Sequence, residues 1–181
     1  MNEARERLHT VSNVHERRLP VTCEQAAAII QSLSSRNDLL WPSEQWPAMQ
    51  LDDGLEVGSS GGHGAIRYAV SESVPGQRIE FTFLPMREVG TFIGRHFYEV
   101  VAATDGVVLR HVLDVKTSLR TWMLWMLVIA PLHDALIEDA FDKAERNLGL
   151  ENPRPAKWSL RVRILRKLES RRLRSKSNVA S

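Results

Sequence analysis

Two stretches that alternate polar and apolar residues carry side chains able to exchange protons. His96 and Tyr98 lie in IGRHFYEV, and His111 lies in LRHVLD. Asp105-Gly106 separates the two stretches and is a strong hairpin signal, which predicts adjacent antiparallel strands. An imidazole pair with a phenol can orient a carbonyl or phenol ligand, or act in general acid–base catalysis, because imidazole titrates near neutral pH. The structural alternative is two buried histidines satisfied by backbone or water.

Two further histidines are weaker candidates. His63 lies in GGHG, which lacks the spacing of a phosphate-binding loop and instead predicts a turn at the rim of a site. His133 lies beside Asp134 at the edge of an apolar helical stripe, where it either reaches the site or pairs with the carboxylate. Neither these two nor the strand histidines show close metal-ligand spacing, so we expect no metal site.

Other catalytic classes have little support. Cys23 is the single cysteine, which excludes an internal disulfide and a cysteine-based zinc cluster. The acidic residues fall on outward faces or turns, unlike the paired carboxylates of glycosidases. We therefore expect no covalent catalysis and no cofactor.

Strand alternation predicts which side chains share the inner face of a sheet. Arg95, Glu99, Arg110 and Asp114 should face solvent, because burying charge is costly. The residues between them then form an apolar wall with a few polar atoms, the composition usual for small-molecule sites. With the helical stripe, the predicted ligand-binding residues are Ile66, Tyr68, Phe81, Phe83, His96, Tyr98, Leu109, His111, Leu113, Trp122, Trp125, Ile129 and His133.

The elements that position these residues follow from periodicity. A helix is predicted over 117–149 from apolar residues at three- and four-residue steps, with an interruption near Val128 to Pro131 because proline lacks an amide donor. A T-x-x-Q capping box at Thr22 predicts a helix from Cys23 to Leu33. Strands are predicted at 13–19, 54–58, 65–73, 77–84, 91–103 and 106–116. This order predicts an α+β protein with an antiparallel sheet of six to seven strands curled around the long C-terminal helix.

Several motifs resemble one superfamily. They are Trp-Pro pairs at 41–42 and 46–47, GGHGAIRY, PGQRIEF, IGRHFYEV, LRHVLD and APLHDALIEDAFDKAE. The chain over about residues 12–148 resembles the START-like superfamily, which includes the Bet v 1-like proteins and the polyketide cyclase and lipid-transport families. The resemblance implies a helix-grip fold, in which a cavity between the concave sheet and the C-terminal helix takes an apolar or aromatic ligand.

Three functions follow as hypotheses. The first is binding of a hydrophobic or aromatic, lipid- or polyketide-like molecule in the cavity. The second is an enzyme resembling polyketide cyclases and aromatases, with His96, Tyr98 and His111 in acid–base steps. The third is an interaction module that uses the basic C-terminal tail.

Charge divides the chain into two regions. Residues 151–181 hold ten basic and two acidic residues, which leaves fourteen basic and twenty acidic residues in the first 150. We expect a flexible N-terminus over 1–11, a ligand-binding domain over 12–149, and a basic tail over 150–181 that is either disordered or an amphipathic helix. The segment Lys157 to Lys176 suits an anionic membrane or an acidic partner, or it docks on the protein's own acidic body. A nucleic-acid partner is not expected.

Composition indicates a soluble, cytoplasmic protein. The chain has 181 residues, of which 43% are hydrophobic and 25% charged, as in ordinary globular domains. Residues 1–10 are charged and show no secretory signal. The longest apolar run has eleven residues, against the roughly twenty of a membrane-spanning helix.

Overall fold

The computed structural model describes residues 7–86, 89–151 and 155–168. The helices and strands follow in the order β1 (His9–Leu19), α1 (Cys23–Gln31), β2 (Gln50–Leu51), β3 (Ser60–His63), β4 (Ile66–Val74), β5 (Arg78–Phe83), β6 (Phe92–Ala103), β7 (Gly106–Thr117), α2 (Leu119–Leu124), a π-helical turn (Trp125–Ile129) and α3 (Ala130–Asn147). Residues 160–168 form a terminal helix.

Within the described residues, seven strands form one antiparallel sheet in the order β1-β7-β6-β5-β4-β3-β2. β6 and β7 form the long central hairpin, and β1 returns to pair with β7 along its whole length. The sheet curves around the helical segment that begins at Leu119, which confirms the predicted α+β helix-grip architecture. This arrangement places the inward side chains of the strands opposite the apolar face of α3.

Local sequence signals account for the ends of the helices. Thr22 and Gln25 form the predicted capping box, in which each side chain accepts a hydrogen bond from the other residue's backbone N–H. Ser118 caps α2 through a hydrogen bond to the N–H of Thr121. The predicted long helix therefore begins at Leu119, directly after the last strand.

The predicted interruption at Pro131 takes the form of a wider helical turn just before the proline. The N–H of Ala130 bonds Trp125 O, five residues back. Pro131 has no N–H to offer to Met126 O or Leu127 O, and both carbonyls instead accept hydrogen bonds from Arg161 Nη2, at 3.2 and 2.5 Å. A side chain of the tail thus satisfies the backbone groups that the proline leaves free.

The described part of the tail docks on the body of the protein. Val162 is buried. Trp158 Nε1 donates a hydrogen bond to Asp139 Oδ2 at 2.8 Å, and Trp46 Nε1 donates to the same oxygen at 2.7 Å. The guanidinium of Arg166 lies over the Trp46 ring, 4.4 Å from its centroid. Of the alternatives for this segment, docking on the acidic body is the one observed, and a membrane or acidic partner gains no support. Residues 152–154 and 169–181 of the predicted tail lie outside the described residues.

Some predicted elements differ from the structure in type or extent. The strand predicted at 54–58 is a turn, and the GGHG segment at 61–64, predicted to be a turn, supplies most of β3. Gly54 and Gly58 have φ angles of +58° and +94°, which extended strands do not adopt, so the glycines form the turn instead. β1 begins at His9, earlier than predicted and within the segment predicted to be flexible.

The apolar core of the described residues has two parts. One surrounds α1 and α3 and includes Phe141, while the other includes Val11, Phe92 and Trp125. Among the described helices, none combines the length and apolar character that crossing a membrane requires.

Candidate functional site

A cavity of about 290 Å³ lies between the inner face of the sheet and the helical segment. Its walls come from the Trp-Pro loop after α1, from five strands or strand ends, and from the π-helical turn and α3. The described lining residues are Trp41, Trp46, Pro47, His63, Gly64, Ala65, Ile66, Phe83, Val89, Phe92, His96, Tyr98, His111, Leu113, Leu124, Trp125, Val128, Ile129, Leu132, His133, Leu136 and Ile137. The cavity lies between sheet and helix, where the helix-grip resemblance implies one.

The central hairpin brings His96, Tyr98 and His111 together on the inner face. Tyr98 is paired directly with His111, and His96 with Leu113. The ring centroids of Tyr98 and His111 are 4.6 Å apart, and those of His96 and His111 are 5.7 Å apart. Alternation along two paired strands therefore produces a compact group of polar rings in an apolar wall.

Two histidines from other elements extend this group. The His133 ring of α3 lies 5.1 Å from that of His111, between centroids, so it reaches the cavity. His63 ends β3, and its Nδ1 lies 3.0 Å from the hydroxyl oxygen of Tyr68. His63 also contacts Trp41, with ring centroids 4.6 Å apart. It is a lining residue at the end of a strand rather than part of the predicted turn.

Four polar atoms of the cavity residues are fully buried and have no hydrogen-bond partner among the described residues. They are His96 Nε2, Tyr98 Oη, His111 Nδ1 and His133 Nδ1. Buried polar atoms in native proteins are nearly always satisfied, since an unmade hydrogen bond costs about 1–3 kcal/mol. The group can therefore offer both donors and acceptors to a bound molecule.

Burial keeps these side chains uncharged. It lowers the pKa of His96 and of His111 well below the usual 6.5, and it lowers the pKa of His63 to about 3, with a smaller contribution from neighbouring imidazoles. Burial also raises the pKa of Tyr98. At neutral pH the cavity therefore presents neutral imidazoles and a neutral phenol. None of the described lining residues is an aspartate, glutamate, lysine or arginine.

Solved structures of several proteins resemble this architecture. Norcoclaurine synthase from Thalictrum flavum, in complex with dopamine and hydroxybenzaldehyde, is 9% identical and matches with a TM-score of 0.58, covering 81% of this chain and 91% of that one. CalU16 from Micromonospora echinospora is 11% identical, with a TM-score of 0.54 over 91% and 93%. A protein from Thermobifida fusca is 18% identical, with a TM-score of 0.57 over 79% and 95%.

The chain has the START/Bet v 1-like fold. The low sequence identities show the fold alone. No protein-family model matches the sequence, and no curated protein matches it either.

The helix-grip cavity brings together most of the residues predicted from the sequence. Those that line it are Ile66, Phe83, His96, Tyr98, His111, Leu113, Trp125, Ile129 and His133. Tyr68, Phe81 and Leu109 are instead almost fully buried in the core, where the rings of Tyr68 and Phe81 contact His96, and Trp122 packs beside the ring of His9. These four support the lining residues rather than forming the surface of the cavity.

The sequence prediction omitted several parts of the helix-grip cavity. Trp41 and Trp46 also line it, and Leu132, Leu136 and Ile137 add to the helical wall. The Trp-Pro loop carried a usable signal, because two tryptophans beside prolines need an apolar surface to cover. Leu132, Leu136 and Ile137 lie three or four residues from Ile129 or His133, so helical periodicity places them on the same face.

A charged cluster lies behind His133, between β1 and α3. His15 Nδ1 lies 2.8 Å from Glu138 Oε1, and His15 Nε2 lies 3.2 Å from Asp134 Oδ1. Burial alone would lower the pKa of His15, but the hydrogen bonds to Asp134 and Glu138 outweigh it and raise the pKa to about 9. Arg17 bonds the other oxygen of Glu138 at 2.8 Å. The sequence prediction did not include His15, because its partners lie more than a hundred residues away.

Proposed function

We propose that the protein binds a small, uncharged hydrophobic or aromatic molecule, lipid- or polyketide-like in character, in the helix-grip cavity. The observation that carries the proposal is an apolar cavity whose wall holds three buried polar atoms without hydrogen-bond partners among the described residues, His96 Nε2, Tyr98 Oη and His111 Nδ1. A ligand with hydroxyl or carbonyl groups would satisfy these atoms and remove the cost of leaving them unpaired. The predicted ligand-binding residues that line the cavity belong to this proposal.

The apolar part of the wall would supply most of the affinity. Trp41, Trp46 and Trp125 present flat aromatic surfaces, and Leu113 and Leu132 lie among them. Burying apolar ligand surface stabilises a complex by about 25 cal/mol per Å² before the cost of association is subtracted. The cavity volume of about 290 Å³ lies near the lower end of the range of roughly 300–1,000 Å³ for small-molecule sites, which favours a compact ligand.

The absence of charge among the described lining residues favours a neutral ligand. A carboxylate or phosphate would lose its hydration without gaining an ionic partner, and this costs several kcal/mol or more. A phenol or ketone would lose far less and could bond the neutral rings of His96, Tyr98 and His111. We therefore favour phenolic or carbonyl-bearing aromatic ligands over fatty acids and phosphorylated compounds.

Calorimetric titration with two probes tests this proposal. The probes are 2-naphthol and 2-naphthoate, which share a ring system and differ in charge at neutral pH. We expect 2-naphthol to bind and 2-naphthoate to bind at least tenfold more weakly, a difference of about 1.4 kcal/mol. Equal binding of both probes, or binding of neither, would contradict the proposal.

A pair of tryptophan substitutions locates the binding. Ile129→Trp adds volume inside the cavity, whereas Ile93→Trp makes the same change on an exposed residue of β6. We expect the first variant to lose 2-naphthol binding and the second to retain it. Circular dichroism of both variants establishes that they are folded.

An acid–base enzyme resembling polyketide cyclases and aromatases is the second candidate. It is favoured by the unpartnered Tyr98 hydroxyl beside the His111 ring, and by the synthase activity named for one protein of the same fold. The low pKa values of His96 and His111 weaken both as bases. Glutamine at either position separates the two functions. Turnover of a poly-ketone substrate by the wild type, lost in the variants while binding persists, would favour the enzyme.

A further inference from the structure

Three potential metal ligands meet on the side of His133 that faces β1. The residues are His15 from β1 and the consecutive His133 and Asp134 from α3, and one ligand atom of each lies within 4.8 Å of the other two. Asp134 Oδ1 is 3.2 Å from His15 Nε2 and 3.8 Å from His133 Nδ1. Two imidazoles and one carboxylate are a common ligand set for divalent transition-metal ions.

The surroundings of these residues match the outer shell of a metal site. The carboxylate of Glu138 holds His15 Nδ1 at 2.8 Å, which leaves His15 Nε2 directed at Asp134. Histidines that bind metals usually donate their other ring N–H to a carboxylate or carbonyl in this way. The amide of Asn13 donates to Asp134 Oδ1 at 2.9 Å and fixes the carboxylate in turn.

Two buried atoms at this cluster have no hydrogen-bond partner among the described residues. One is His133 Nδ1, which is too far from Asp134 for a hydrogen bond, and the other is Asn13 Oδ1. Both side chains contact the same carboxylate group. The ion network of His15, Asp134 and Glu138 explains the charged groups, but it leaves these two buried atoms without a partner among the described residues.

The dimensions are close to those of a tetrahedral site. Zinc bonds to nitrogen and oxygen at about 2.0–2.2 Å, which places neighbouring ligand atoms roughly 3.3–3.5 Å apart. The 3.2 Å spacing of His15 Nε2 and Asp134 Oδ1 is within about 0.3 Å of this value, and the remaining ligand atoms need shifts of about 1 Å. The side chain of Asp134 is 47% exposed, so an ion can reach the cluster and keep a water molecule in its fourth position.

We propose that His15, His133 and Asp134 bind a divalent transition-metal ion of the zinc class, with Glu138 as the residue that positions His15. The proposal replaces the sequence expectation of no metal, which considered only histidines close in sequence or on the cavity face. It does not depend on ligand binding in the cavity, although His133 belongs to both sites.

Titration of the full chain with Co²⁺ alone tests the proposal, after chelator treatment and gel filtration. Mildly alkaline pH is used because protons compete for His15 Nε2. We expect one equivalent of Co²⁺ to give the visible absorption of a nitrogen- and oxygen-bound ion, and Zn²⁺ to displace it. Mg²⁺ should not displace it, because imidazoles are poor ligands for that ion.

Variants separate this site from other histidines. Asp134→Asn and His133→Gln should weaken Co²⁺ binding at least tenfold, and Glu138→Gln should weaken it by about ten- to a hundredfold. His9→Gln is the control, since His9 also lies on β1 but packs on Trp122. No absorption with the wild type would overturn the proposal, as would equal binding by Asp134→Asn or an equal loss in His9→Gln. If one ligand variant fails to fold, the other still decides.

Discussion

His15 should make the stability of the protein fall in mildly alkaline solution. The imidazole bonds Asp134 and Glu138 across the contact between β1 and α3, and its pKa in the folded protein is raised to about 9 from 6.5. The folded state therefore binds this proton more tightly than the unfolded state does. The resulting stabilisation is fully present below pH 6.5 and is lost as pH rises through 9.

The size of the effect follows from the pKa shift and the exposure of the partners. A shift of this size corresponds to at most about 3 kcal/mol, since one pKa unit is about 1.4 kcal/mol. The His15 side chain is 13% exposed, but the side chains of Asp134 and Glu138 are 47% and 37% exposed, so solvent screens the interaction. We expect a loss of about 1–2 kcal/mol in the free energy of unfolding.

Urea unfolding of the wild type and His15→Gln over this pH range measures the loss. A chelator is present so that bound metal makes no contribution. The difference in unfolding free energy between the two proteins should shrink by about 1–2 kcal/mol as pH rises from about 6 to about 10. A difference that stays constant would refute the reasoning, because it would mean that folding does not raise the pKa of His15.

Three further predictions concern the buried rings and the tail. Between about pH 6.5 and 3 the unfolded state binds a proton at His63 and the folded state does not, because burial lowers the pKa of His63 to about 3. The free energy of unfolding should therefore fall less steeply with decreasing pH in His63→Gln than in the wild type. In urea unfolding, Tyr98→Phe should be neutral or stabilising by up to about 1 kcal/mol, because it removes a buried hydroxyl that has no partner among the described residues. Tyr68→Phe should cost about 1–2 kcal/mol, because it removes the hydrogen bond to His63. Equal losses in the two variants would contradict this prediction. Arg161→Ala should cost about 1 kcal/mol in the same assay, and the exposed control Arg163→Ala should cost almost nothing. The same loss in both variants would contradict a stabilising role for the bonds from Arg161 to the carbonyls of Met126 and Leu127.

The elements governed by local chemistry were predictable from the sequence. The capping box at Thr22 and the hairpin at Asp105-Gly106 have few alternative structures, and both appear as predicted. Alternation placed His96 and His111 on the same face because charged neighbours such as Arg110 are costly to bury. The α+β order followed from these elements.

The parts that depend on distant partners were not predictable. His15 looks like an ordinary residue of an edge strand until β1 pairs with β7 and faces α3. Arg161 has no visible role until Pro131 leaves carbonyls unpaired 30 or more residues earlier. Trp158 and Val162 read as one face of a basic amphipathic helix, and only the presence of Asp139 on α3 shows that they pack on the body.

Intermolecular nuclear Overhauser effects between 2-naphthol and the protein test the central claim most directly. The account predicts contacts from the naphthol protons to the methyl groups of Leu113 and Leu132 and to the rings of His96 and His111, which line the cavity. It predicts none to the exposed methyl groups of Leu160 and Leu168 on the terminal helix. Contacts confined to those exposed residues, or no contacts at saturating probe, would contradict the claim that the space between sheet and helix is a ligand site.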